Sequence, residues 1–229
     1  MIGIIGAMDK EIELLLNQMT IHTSDIIADK TFFVGNIVGK EVVVVKSGIG
    51  KVNATITASI LLQKYNIEYV INIGLAGGIS PAKIGDIIIA EGISYFDVSL
   101  TAIDDVVYGK MGSDPLTVFS DLKLKQKATF IFDDLGIVYH VGHLVSGDQF
   151  VVKMESLSEI LKIVDNVLAC EMEGMAIGIT CYKFNIPFIS IRGISDVIEN
   201  SDQTDVYQSV SEKIAHQTSS FVVRFLEAS

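Results

Sequence analysis

The sequence predicts a single α/β domain, for three reasons. Apolar residues come in short β-branched runs, such as Val42 to Val45, Ile67 to Ile73 and Ile87 to Ala90, which suit parallel strands buried on both faces. These runs alternate with longer stretches of helical spacing. No Pro/Ser-rich linker, repeat or low-complexity tract divides the 229 residues, which are enough to bury a substantial core.

In chain order, Met1 to Gly6 reads as the opening strand, since it lacks the basic start and cleavage pattern of a signal peptide. Ile12, Leu15, Leu16 and Met19 then recur at helical spacing. A hairpin is expected from residues 31–34 to 41–45, turning near Val38-Gly39-Lys40. A helix over 51–65 leads to a strand over 69–73, which opens into Gly74-Leu75-Ala76-Gly77-Gly78. The strand near 86–93 runs into a stretch from Asp97 to Pro115, rich in Asp, Gly and Ser, that reads as a mobile loop. Further helices are expected near 120–134, 156–164, 173–184 and 205–226, with strands near 137–145 and 187–194.

Composition excludes several functions. Mean hydropathy is high at +0.47, yet no apolar run approaches the roughly 18 residues of a membrane span. Part of the surplus apolar surface is expected to be covered in a homo-oligomer. A net charge of −11 with no basic cluster would repel phosphate backbones, which argues against nucleic acid. Cys170 and Cys181, the two cysteines, form no disulfide framework and fit a reducing cytoplasm. His140 and His143 lie three apart on an expected strand, so they point to opposite faces. No Cys/His cluster stands elsewhere, and neither a metal nor another cofactor is expected.

Three glycine loops follow apolar strands: Gly3-x-x-Gly6, Ser47-Gly48-Ile49-Gly50-Lys51 and Gly74-x-x-Gly77-Gly78. None fits Gly-x-Gly-x-x-Gly, and a Walker A loop would need Gly at position 45 and Ser or Thr at 52, where Val45 and Val52 stand. Each alone is a tight strand-to-helix connection. Together they provide a crevice where backbone N–H groups can approach a ligand.

Four polar segments interrupt apolar surroundings or follow a strand directly. Glu11 lies just beyond the Gly6-Ala7-Met8 turn, where a carboxylate also favours a helix N-terminus. Cys170-Glu171-Met172-Glu173-Gly174 sets two acids in a hydrophobic stretch, which solvated helix-start acids would equally explain. Ile191-Arg192-Gly193-Ile194-Ser195-Asp196 follows a strand, and its Arg and Asp could form a structural ion pair or a cap. Val145-Ser146-Gly147-Asp148-Gln149-Phe150 runs from a strand into a turn, where Ser and Asp commonly bond local backbone.

Taken together, these segments resemble the 5′-methylthioadenosine/S-adenosylhomocysteine nucleosidases, within the wider nucleoside phosphorylase family. The resemblance covers essentially the whole chain in order. It rests on Gly3-Ile4-Ile5-Gly6-Ala7-Met8-x-x-Glu11, Ser47-Gly48-Ile49-Gly50-Lys51-Val52-Asn53-Ala54, Val145-Ser146-Gly147-Asp148-x-Phe150, Glu171-Met172-Glu173 and Arg192-Gly193-Ile194-Ser195-Asp196. It implies a three-layer α/β/α domain around a twisted mixed sheet, over residues 1–229, usually as a homodimer.

Cleaving an N-glycosidic bond builds positive charge on the ribose while adenine leaves with the electrons. The resemblance gives Asp196 the role of protonating the purine at N7, for which burial would have to raise its pKa. Glu11 would deprotonate the attacking water, Glu173 would accept bonds from the ribose hydroxyls, and Arg192 would hold a carboxylate and the water. Phe150 would stack on adenine, Val151 would offer backbone bonds to its edge, and Ser195 would position Asp196. Met172 and Tyr207 would border the sugar, and Met8 and Ile49 would touch the substrate. Leu100 and Ile103, from the neighbouring subunit, would line the 5′-alkylthio pocket.

Water is favoured over phosphate as the nucleophile. The chain has two arginines, Arg192 and Arg224, whereas related phosphorylases grip phosphate with several from early loops. Here the early loop Met8-Asp9-Lys10-Glu11 places an acid where phosphate would sit. Two segments depart from the family pattern. Ile73 and Leu75 stand where Thr and Ser are usual, removing a hydroxyl that would bond the water, so a slower enzyme is expected. Phe96 and Ser99 stand where His and a second Asp are common, which loosens inference about the 5′ substituent. The alternatives are a nucleosidase for another 5′-modified adenine nucleoside such as aminofutalosine, and a nucleoside-binding module that has lost catalysis.

Overall fold

The computed structural model describes residues 1–103, 105–199 and 203–228. The described strands form one mixed sheet: β1 (Ile2–Gly6), β2 (Thr20–Ile27), β3 (Lys30–Ile37), β4 (Lys40–Lys46), β5 (Tyr69–Gly78), β6 (Ile87–Tyr95), β7 (Thr117–Phe119), β8 (Tyr139–Ser146), β9 (Val167–Glu171) and β10 (Phe188–Val197). The helices are α1 (Asp9–Gln18), α2 (Lys51–Lys64), α3 (Leu122–Asp134), α4 (Gly174–Phe184) and α5 (Gln203–Glu227).

The strand order is β10-β6-β8-β9-β5-β1-β4-β3-β2, with β7 on β6. β10 also pairs with β5, which closes β5, β9, β8, β6 and β10 into a ring and leaves β1, β4, β3 and β2 as an open wing. Alternation along the buried strands sorts their side chains between two cores. Ile5, Val43 and Val45 pack with Leu61 of α2 and Ile177 of α4. Ile4, Val42 and Val44 pack with Leu15 of α1, Phe132 of α3 and Phe221 of α5. A sheet between two helical layers is the three-layer α/β/α arrangement that the resemblance implies.

Several elements differ from expectation. β2 is unforeseen because Thr20–Ile27 is a mostly exposed edge strand, without the apolar alternation that marks a half-buried one. Its turn into β3 is Ala28-Asp29, with φ of 48° and 63° and no glycine to announce it. The helix expected over 156–164 is instead two 3-10 turns, Met154–Leu157 and Ile160–Lys162. Leu157, Ile160 and Val164 still bury together there, but Ser156 and Ser158 are weak helix formers. β7 and β9 are too short to show a period.

The most consequential difference concerns strand ends. β5 and β10 do not stop near residues 73 and 194 but continue, paired and parallel, to Gly78 and Val197. Their register slips between Ile194 and Asp196, a bulge of the kind that re-aims side chains beside active sites. Arg192 lies on the strand as its expected span implies, and Asp196, expected beyond the strand end, is a strand residue too. The described residues between Asp97 and Pro115 form turns and bends rather than helix or strand, and Tyr108 Oη donates to Phe96 O at 2.7 Å.

Candidate active site

Parallel strands β1, β5 and β10 end on the same edge of the sheet, the position where open α/β sheets form crevices. A cleft of about 310 Å³ opens there. Its wall contains ten of the residues singled out by sequence: Met8, Glu11, Ile49, Phe150, Val151, Met172, Glu173, Ser195, Asp196 and Tyr207. The remaining three lie elsewhere. Arg192 is buried behind the wall. Leu100 and Ile103 sit in the 97–115 stretch, outside this chain's own cleft, and Ile103 is 84% exposed.

Glu11 occupies the first turn of α1. Its Oε2 accepts N–H bonds from Ala7 at 2.6 Å and Met8 at 2.9 Å, and its Oε1 accepts one from Leu75 at 3.0 Å. Glu11 thus caps its own helix while facing the cleft. Burial pushes its carboxyl above the usual range, and the Arg192 charge and those three N–H groups pull it part of the way back. From the other side of the sheet end, Ser219 Oγ of α5 holds the Glu11 carbonyl at 2.6 Å.

Asp196 stands in the same cleft, almost wholly buried. Its Oδ1 accepts Ser195 Oγ and its Oδ2 accepts Gln203 Nε2, both at 2.7 Å. Gln203 also bonds the Val151 carbonyl at 2.9 Å. Sequence reading missed Gln203, since a polar residue at a helix start carries no mark of its own.

Arg192 forms no bond to Asp196. Its Nη2 bonds Glu171 Oε2 at 2.6 Å and Asn72 Oδ1, and its Nη1 bonds Ile73 O at 3.3 Å. Glu171 in turn accepts the N–H groups of Glu173 at 3.0 Å and Gly174 at 2.7 Å. The carboxylate Arg192 holds is therefore Glu171, which positions the chain around Glu173. Asn72 had no sign in the sequence beyond being a polar residue inside an apolar strand.

Glycine at position 74 is what lets this charge pair and Glu11 approach each other. A Cβ there would drive into Arg192 Nη1 and lie 2.8 Å from Glu11 Oε1. Gly74→Ala is expected to cost about 1–3 kcal/mol of stability and most of any activity that depends on Glu11. Thermal melting with a parallel turnover assay checks both. Wild-type values in each would mean that the two side chains can shift freely.

Glu173 precedes α4 and accepts the Gly50 N–H at 2.8 Å, joining the second glycine loop to the cleft. Burial, reinforced by the Glu171 charge, pushes its carboxyl up to about 8. A group that binds its proton more tightly when folded stabilises the fold below its unfolded pKa and loses that contribution as pH rises through the folded one. For Glu173 the window runs from 4.5 to about 8. Denaturant titrations across that range should show wild type losing more stability than Glu173→Gln. Equal losses would show that Glu173 carries no such shift.

Among the described residues no helix is long and apolar enough to cross a membrane. The sequence profile of the phosphorylase superfamily matches residues 1–227. A 5′-methylthioadenosine/S-adenosylhomocysteine nucleosidase of Staphylococcus aureus (strain JH9) is 36% identical over 223 residues, covering 97% of each chain. Among solved structures, the nucleosidase of the same name from Neisseria meningitidis, in complex with methylthio-immucillin-A, superposes with a TM-score of 0.94 at 31% identity, covering 100% of this chain and 99% of that one. The counterpart from Colwellia psychrerythraea 34H, in complex with adenine, gives a TM-score of 0.92 at 33% identity, covering 99% and 94%.

Proposed function

Because this chain belongs to the phosphorylase superfamily, we propose that it hydrolyses the N-glycosidic bond of 5′-methylthioadenosine and S-adenosylhomocysteine, releasing adenine and the 5-thio-substituted ribose. One observation carries this reading: Glu11 and Asp196, both buried, share one largely apolar cleft. A nucleoside-binding module would need neither a base nor an acid there.

The roles follow from placement. Asp196, its carboxyl plane fixed by Ser195 and Gln203, donates a proton to purine N7. Gln203 already occupies the Val151 carbonyl, so the Val151 N–H reads the purine edge while Phe150 lies along its face. Glu173 accepts the ribose hydroxyls, with Met172 beneath the sugar. Glu11, its carboxyl raised by burial toward the working pH, takes the proton of the attacking water. Arg192 acts through Glu171 and through its charge on Glu11, without touching the substrate. Phosphate is disfavoured, because Arg192 is bonded to Glu171 and Arg224 lies in α5, paired with Glu227 at 2.9 Å.

Residues 1–229 act as one catalytic domain in a cytoplasmic homodimer. Ile49, at the cleft wall, and Val52, Val107 and Met111 are exposed apolar side chains that a second copy would cover. Leu100 and Ile103 would then reach the 5′ end of the other subunit's cleft. Both cysteines are free and buried, which suits a reducing compartment.

Adenine release from methylthioadenosine in phosphate-free buffer tests the reaction. Appearance of ribose 1-phosphate analogues only when phosphate is added would make the enzyme a phosphorylase, and binding without turnover would favour the module. Leu75 supplies a finer test. Its N–H orients Glu11, while its side chain packs with Met8, Tyr207 and Ile214 rather than bonding water. Leu75→Ser is expected to raise kcat while lowering stability by about 2–5 kcal/mol for the lost packing. A fall in kcat at temperatures where the variant stays folded would contradict a missing hydroxyl at the water site.

A further inference from the structure

Around the cleft, positive side chains are neutralised in turn. Arg192 bonds Glu171, Lys51 lies 2.8 Å from Asp97, and Lys46 lies 2.8 Å from Asp9. Lys10 differs. Partly buried in the first turn of α1, its ammonium donates to Ser211 Oγ at 2.8 Å and Tyr207 Oη at 3.3 Å, and it lies 4.6 Å from the centre of the Tyr207 ring. Among the described residues no carboxylate comes within ion-pair distance of it. Tyr207 itself lines the cleft, with its Oη 3.6 Å from Met8 Sδ. An uncompensated cation therefore stands one side chain back from the cleft mouth, in a chain of net charge −11.

The orientation of a bound nucleoside decides what meets that cation. With the purine at Asp196 and Val151 and the ribose hydroxyls at Glu173, the 5′ carbon turns toward Met8, Ile49 and Tyr207. A methylthio group would end among these side chains. A homocysteine chain would run past them and terminate in a zwitterion, an α-ammonium beside a carboxylate. Resting on that reading of the reaction, we propose that Lys10 is a specificity-determining residue whose ammonium binds the carboxylate of an amino-acid tail at the 5′ position. The bonds to Ser211 and Tyr207 are to neutral hydroxyls and are weaker than an ammonium–carboxylate bond in which both partners are charged, so a four-carbon stem can exchange one for the other. The net negative charge of the chain would otherwise favour the tail's ammonium over its carboxylate, and Lys10 reverses that preference locally.

Steady-state kinetics of the full chain with methylthioadenosine, S-adenosylhomocysteine and the carboxamide of S-adenosylhomocysteine test this. Lys10→Met is expected to raise KM for S-adenosylhomocysteine, relative to methylthioadenosine, about fivefold, the size of an exposed ion pair, with the ratio of kcat values unmoved. Lys10→Arg should restore the wild-type ratio, and the carboxamide should be indifferent to residue 10. An unchanged KM ratio in Lys10→Met, or a carboxamide that responds as the acid does, overturns the proposal. If the wild type releases adenine from methylthioadenosine and only the tail dependence fails, Lys10 alone loses its role. If the wild type releases adenine from neither substrate, the reaction reading falls and the role of Lys10 falls with it.

Discussion

Asp196→Asn is expected to slow adenine release by about 10²- to 10⁴-fold, the usual contribution of a positioned general acid, while nucleoside binding persists. The substitution keeps the shape of the side chain and removes only its capacity to lose a proton to the purine. Local structure can absorb the change. Ser195 Oγ can still donate to the amide oxygen, and the Gln203 amide, whose oxygen has no partner, can turn to accept from the new NH₂. The turn would give up the bond to Val151 O, a loss of about 0.5–1.5 kcal/mol. Single-turnover adenine release beside equilibrium binding of methylthioadenosine separates the two effects. A rate within tenfold of wild type would remove Asp196 from the chemistry.

Glu11→Gln should lower kcat by a comparable factor through the opposite end of the reaction, since an amide cannot take a proton from water. It differs from the first variant in its structural cost. Three N–H groups converge on the two Glu11 oxygens, and an amide must turn its NH₂ toward one or two of these donors. A lower melting temperature is therefore expected together with the kinetic loss. Affinity for adenine, which does not reach the water site, shows whether the cleft survives. In wild type, kcat/KM should rise with pH as Glu11 loses its proton, with a midpoint above the ordinary 4.5 because burial raises it. Full activity in Glu11→Gln with adenine affinity intact would leave some other group as the base.

Much of this arrangement was legible in the sequence because the cleft is built at strand ends, and strand ends advertise themselves. Gly6-Ala7-Met8, Ser47 to Gly50 and Gly74 to Gly78 mark where buried strands open, and the acids beside them stand out against apolar neighbours. Side chains that act through others were hidden. Glu171 and Glu173 look alike in sequence and both border the cleft, yet Glu171 is locked to Arg192 while Glu173 takes the Gly50 N–H, a distinction made by the end of β9 and the start of α4. Asp196 read as lying past the end of its strand because polar residues follow Ile194, whereas pairing with β5 carries the strand through to Val197. Gln203, Asn72 and Ser219 are ordinary polar residues until tertiary structure brings them to their partners. The edge strand β2, held by backbone bonds and largely exposed, left no hydrophobic pattern to find.

The last helix reaches Asp196, the Tyr207 wall and Glu11, three separate parts of the cleft. Gln203 steadies the acid, Tyr207 forms the mouth, Ser211 receives Lys10, and Ser219 grips the backbone of the base. These positions differ by multiples of four, so they follow one ridge that winds around α5 along its length. The proposed proton donor, the entrance and the proposed water activator are thereby mounted on a common rod. If that rod lifts away, all three fail in a single event, so heat or denaturant should extinguish turnover at the moment the helix undocks and leave no partially competent enzyme behind.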